Sequence, residues 1–170
     1  MQWWRCQIQL KLVPIPATGY KVGIGLPTKA EVAAFLAAEF PQSPCIVEDV
    51  GNAAATVRRE IGQGDLRPGG TVSGPVLMAV ADVALYVAIL GEIGIVPLAV
   101  TTSLTINFLR KPAPNKSIRG ACKLIKVGKA LIVGEVSIYS EGMDEPVAHA
   151  VGTYSVPKES VGPKSDRFPD

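Results

Sequence analysis

In SGPVLMAVADVALYVAIL, residues 73–90, one carboxylate, Asp82, stands in a run of apolar and small residues. A helix of this composition is apolar on every face and belongs in a core. A buried carboxylate without partners costs several kcal/mol or keeps its proton, so Asp82 reads as a residue with chemistry to do. Carboxylates so placed act as general base toward a water or as nucleophile toward an activated carbonyl.

The other polar side chains near this helix have two readings each. Ser73 stands just before it, as N-cap or as a nucleophile without an adjacent His or Lys. Tyr86 follows Asp82 by four and shares its face, as core or as substrate contact. Arg67, in the GQGDLRPGG loop, could pair with Asp82 or hold an anionic part of a substrate. His149, the sole histidine, falls in an expected strand with no partner nearby, and Cys122 alternates like a small core residue. Arg110, Lys111, Lys116, Arg119, Lys123, Lys126 and Lys129 place seven positive charges in twenty residues without one acid. Such a surface suits a nucleotide with several phosphates, or it guards strand edges against aggregation.

The elements that must position these groups are legible in outline. At 170 residues, 48% hydrophobic and with net charge +2, the chain has the size of one globular domain and no strong pull toward nucleic acid. Three cysteines without CxxC spacing and a single histidine argue against a disulfide framework and against a metal site, and fit a reducing cytoplasm. Residues 75–100 are long and apolar enough to span a bilayer, but Asp82, Glu92, Gly91, Gly94 and Pro97 interrupt them and a β-rich segment follows.

Residues 1–27 read as an extension or arm, with a strand-like alternation in QIQLKLV. Thr28 and Glu31 form a capping box opening a short helix through Phe35 and Leu36. Cys45 to Ile61 reads as one long, partly irregular strand. After the apolar helix the period changes to two: Val100, Thr102, Leu104, Ile106 and Phe108 share one face. Three further strands are expected at about 117–127, 130–140 and 146–156, joined as antiparallel hairpins. The tail 157–170 reads as solvated, which leaves 28–156 as the expected domain. One all-apolar helix with several antiparallel strands predicts an α+β fold, a curved sheet wrapped around that helix.

RPGGTVSGPVLMAVADVALYVA, TTSLTINFLRKPAPNKSI and VAHAVGTYSVP together resemble the hotdog-fold acyl-CoA thioesterases of the phenylacetate-pathway type, over roughly residues 45–156. In that family a His-Gly-Gly loop starts the central helix and an acid follows nine positions after the His. Ser73-Gly74-Pro75 takes that place here, with Asp82 nine positions on, and Arg67 stands at the family's Asn. The resemblance implies hydrolysis of a small or aromatic acyl-CoA without a cofactor, and sites at a dimer interface with dimers pairing into tetramers. Asp82 would be base or nucleophile, with the helix N-terminus as oxyanion hole. Pro75 has no N–H, so Gly74 is the first donor and Val76 the second. Arg110 and Lys111, at the end of the strand in LRKPAP, are the best placed cations for coenzyme A. The alternative is an acyl-CoA-binding protein of the same fold without turnover.

The spacing adds a constraint of its own. Eight residues of helix separate Gly74 from Asp82 by about 12 Å along the axis, whereas a reacting carbon sits about 3 Å from both its attacker and its oxyanion donor. One helix cannot serve both ends of one substrate, so the site should be composite, with Asp82 of one subunit facing Gly74 of the other.

Overall fold

The computed structural model describes residues 25–157, so most of the expected extension and tail lie outside the described residues. Helix α1, Lys29–Glu39, begins at the expected capping box: Thr28 Oγ1 accepts from the Glu31 N–H, and Glu31 Oε2 accepts from the Thr28 N–H at 2.7 Å. It buries Val32, Phe35 and Leu36.

The segment expected as one strand from Cys45 to Ile61 is instead a hairpin of β1, Cys45–Gly51, and β2, Ala54–Arg59. The chain reverses through Asn52 and Ala53, both at positive φ (53° and 55°), as a tight hairpin turn matching strand twist requires. Glu92 Oε2 accepts the Ala53 N–H at 3.1 Å, so the far end of the central helix pins a turn in which alanine is not at ease. This long-range acceptor, 39 residues away, is what local composition could not reveal.

The loop 62–73 holds a 3₁₀ turn, Gln63–Asp65, and two short paired strands, β3, Leu66–Arg67, and β4, Thr71–Val72. It feeds α2, Gly74–Ile93. Strands β5, Val100–Phe108, β6, Ile118–Val127, β7, Leu131–Ser140, and β8, Ala148–Ser155, follow close to the expected positions. The main sheet is antiparallel throughout, in the order β1-β2-β6-β7-β8-β5.

All six strands touch α2, giving the expected hotdog architecture of an antiparallel sheet around one central helix. By length and hydropathy α2 could cross a membrane, but two thirds of its most apolar window is buried within this domain. Close approach is made possible by glycine. Gly134 on β7 and Gly152 on β8 are paired across the ladder, and a Cβ on either would lie 2.7 or 2.5 Å from a Leu85 methyl. Leu85 is 1% exposed and presses on the sheet where those side chains are missing.

Strand β5 departs from the simple alternation read in the sequence. Its register with β8 shifts between Thr101 and Ser103, and Val100 and Phe108 remain 55% and 53% exposed. It is an edge strand with one side of its ladder open.

Candidate functional site

The face of α2 that the sheet leaves uncovered carries Pro75, Met78, Ala79, Asp82 and Tyr86. Gly74, Met78, Asp82 and Tyr86 follow one another at intervals of four, so they form a single ridge along the helix. Asp82 stands partly open on that ridge, where the sheet's wrapping of the helix is incomplete.

Its partners are two hydroxyls. Thr101 Oγ1 donates to Asp82 Oδ1 at 2.6 Å, and the Tyr154 hydroxyl lies 2.7 Å from the same oxygen. Thr101 and Tyr154 are direct partners in the β5–β8 ladder, so both point to the helix side of the sheet. Burial, and secondarily the Asp82 carboxylate, hold the Tyr154 phenol far above its ordinary pKa, so it remains a donor. The Tyr154 ring stacks on Tyr86 at 6.2 Å, and Tyr86 in turn donates to the Pro97 carbonyl at 3.3 Å. Burial pushes Tyr86 up to about 12. Tyr86 thus supports the ring that holds Asp82. Within the chain Asp82 pairs with neither Tyr86 nor Arg67. Sequence reasoning missed Thr101 and Tyr154 because their meeting depends on a register between strands 53 residues apart.

At the N-terminus of α2, Ser73 occupies the N-cap position, one of its two readings, with extended backbone, though its hydroxyl makes no capping bond. Its N–H donates to the Asp65 carbonyl at 2.9 Å. Val76, expected as a second oxyanion donor, instead directs its N–H to the Ser73 carbonyl at 3.2 Å, as Leu77 does at 3.3 Å. That turn closes because Pro75 sits inside it with no N–H to place. Among the described residues the Gly74 N–H has no partner, and it is the open donor at the positive end of α2. Against Gly74 lies Phe108: a Cβ there would be 3.1 Å from the ring tip Cζ.

The loop before the helix is anchored by a mostly buried ion pair, Arg59 to Asp65 at 2.5 Å, with Asp65 also accepting the Gly62 N–H. Arg67 is exposed on β3, turned back by Gly69 and Gly70 at positive φ. Arg110 is bonded to Glu145 at 2.7 Å and to the Pro146 carbonyl at 2.9 Å, while Lys111 is exposed. The basic run is divided by the fold: Arg119 reaches Glu48 on β1, and Lys123 faces Glu135 across the β6–β7 ladder. His149 lies 3.3 Å from Glu135 on the sheet face opposite Tyr154, away from Asp82. Among the described residues no group of three or more His, Cys, Asp or Glu is arranged to hold a metal.

The arrangement offers an aligned carboxylate at one point of an open ridge and an unpaired N–H two turns away at the positive end of the helix. That is equipment for attack on a carbonyl and for holding the resulting oxyanion.

Residues 69–147 match the thioesterase superfamily model. A proposed thioesterase of Silicibacter sp. TM1040 is 39% identical, with the superposition covering 79% of this chain and 96% of that one at a TM-score of 0.72. The PaaI protein of the phenylacetic acid degradation operon of E. coli shares the fold at 20% identity, 75% and 94% coverage and a TM-score of 0.63. A hypothetical thioesterase of Streptococcus pneumoniae TIGR4, determined with coenzyme A, does so at 19% identity, 65% and 84% coverage and a TM-score of 0.58. No curated protein matches the chain.

Proposed function

The chain belongs to the thioesterase superfamily, and from that premise we propose that it hydrolyses acyl-CoA thioesters at a site completed by a second copy of itself. The observation that carries this reading is the ridge on α2. Gly74 and Asp82 lie on it about 12 Å apart along the axis, with Met78 midway. Two such helices, antiparallel about a two-fold axis near Met78, bring each Gly74 opposite the partner's Asp82. The open edge of β5 flanks the same face and offers unpaired backbone to a second β5. Two dimers then pair into the tetramer expected from the resemblance.

In this arrangement the thioester oxygen is held at the Gly74 N–H. Thr101 and Tyr154 occupy Oδ1 of the partner's Asp82, leaving Oδ2 to take a proton from water as that water attacks the carbonyl carbon. The tetrahedral oxyanion collapses with loss of the coenzyme A thiolate, which takes up a proton, and the acid product leaves. The nucleotide phosphates are drawn to Lys111 and neighbouring cations, with Arg67 at the mouth of the loop. The reaction needs no cofactor, and a reducing cytoplasm is the compartment proposed.

The test is release of free coenzyme A, followed with a thiol reagent, over short, long and aromatic acyl-CoAs for the wild type beside Asp82→Asn. Turnover lost in the variant supports the reading. Binding of acyl-CoA without turnover by the wild type would replace it with an acyl-CoA-binding role.

A further inference from the structure

The thioester oxygen must come within about 3 Å of the Gly74 N–H, and the approach to that group is furnished by one side chain in particular. Phe108 projects from the end of β5 so that Cζ, Cε1 and Cε2 would lie 3.1, 3.5 and 3.7 Å from a Gly74 Cβ. The ring tip therefore fills the space a side chain at Gly74 would take, while Phe108 as a residue remains 53% exposed. One helical turn on, Met78 is 38% exposed on the same ridge. From Gly74 to Ala81 the helix carries no charged side chain. Arg110, two residues after Phe108, has its guanidinium on Glu145 and the Pro146 carbonyl.

We infer that Phe108 is a specificity-determining residue that selects uncharged acyl groups and rejects those carrying a carboxylate close to the thioester. This rests on the hydrolytic reading above. An acyl group whose carbonyl is held by Gly74 must lay its next carbons along the Phe108 ring and Met78. Methylene or methyl groups lose water there at a gain, whereas a carboxylate loses its hydration against two side chains, Phe108 and Met78, that carry no donor. Removing the ring lets water back to that position and relieves the charged substrate more than the uncharged one.

The test compares propanoyl-CoA with malonyl-CoA, three-carbon acyl groups that differ by a terminal carboxylate, in the wild type, Phe108→Leu and Phe108→Ala. The expected wild-type preference in kcat/KM for propanoyl-CoA is about thirtyfold or more. It should fall about tenfold in Phe108→Ala and persist in Phe108→Leu, which keeps an apolar wall. Asp82 repels the malonyl carboxylate in all three proteins, so the change in ratio isolates the ring. Sedimentation of each variant separates this effect from loss of assembly, and should Phe108→Ala dissociate, Phe108→Gln, which keeps bulk but offers the carboxylate a donor, takes its place: a preference lowered there supports the inference and one unchanged overturns it. Turnover without a preference for propanoyl-CoA, or a preference that Phe108→Ala leaves intact in an assembled protein, overturns the inference alone. Absence of turnover with every thioester overturns the hydrolytic reading and this inference with it.

Discussion

The Tyr154 hydroxyl lies 2.7 Å from Asp82 Oδ1 and 3.1 Å from the Asp82 backbone carbonyl, so strand β8 holds both ends of the residue on which the chemistry depends. A phenol has one proton to donate, and the charged oxygen is the stronger acceptor.

Tyr154→Phe keeps the ring on Tyr86 and removes only the donor. A charge-assisted hydrogen bond is worth about 1.5–3 kcal/mol, so kcat should fall by about ten- to a hundredfold with KM little changed. Thr101→Val should behave alike, and Thr101→Ser should recover most of the rate. Steady-state kinetics on one good substrate decide it, and an equal loss in Thr101→Ser would point to packing instead.

Asp82→Asn removes the base while keeping the shape. Loss of about a hundredfold or more in turnover is expected, with acyl-CoA binding and the state of assembly kept. A single wild-type turnover in ¹⁸O-labelled water should place the label in the released acid and none in the Asp82 carboxyl, read by mass spectrometry of the peptide. Label in Asp82 would establish the anhydride route.

The two-fold arrangement makes Met78 its own neighbour. Met78→Cys should therefore form an intersubunit crosslink, by disulfide or with a short bis-maleimide, in far greater yield than the wild type with its native cysteines. Gel electrophoresis under non-reducing conditions reads the result independently of activity. A dimer that forms without that crosslink would remove Met78 from the axis and separate Gly74 from the partner's Asp82.

Gly74 is not at positive φ, so Gly74→Ala strains no backbone; its methyl instead meets the Phe108 ring at 3.1 Å. The ring must shift, and kcat/KM should fall by about tenfold. Combining it with Phe108→Leu should cost less than the product of the two single effects, since the clash is shared. Additive losses in the double-mutant cycle would show that the two residues do not touch in solution.

Burial, with Glu135 adding to it, pushes the Cys122 thiol up to about 12 from an ordinary 9.0, and burial raises Cys45 as well. Above about pH 9 the unfolded chain loses protons that the folded chain keeps. Stability is then complete below that pH and declines toward 12, by up to about 1.4 kcal/mol per pH unit for Cys122. Urea midpoints at pH 8 and 10 should show the drop, and Cys122→Ala should shrink it.

Much of this was written locally. The capping box at Thr28, the apolar helix, the four strands after it and the isolation of Asp82 rest on period and composition, which act over a few residues. The hairpin at Asn52 was not, since the acceptor that steadies Ala53 sits on Glu92 at the other end of α2. Ser73 had the right type and position for a cap, yet backbone bonds close that turn without its hydroxyl. The basic run looked continuous along the chain, but strand pairing delivered Arg119 to Glu48 and Lys123 to Glu135.

The sequence by itself determined that a carboxylate and a helix N-terminus would be offered eight residues apart, because helical rise is fixed by backbone geometry. Only the tertiary structure decided what holds that carboxylate and what side chain stands over the Gly74 N–H. Those depend on the β5–β8 register, which places Thr101 beside Tyr154, and on the reach of Phe108 to Gly74. Ladder register and side-chain reach are settled by packing among residues far apart in the chain, and no local pattern encodes them.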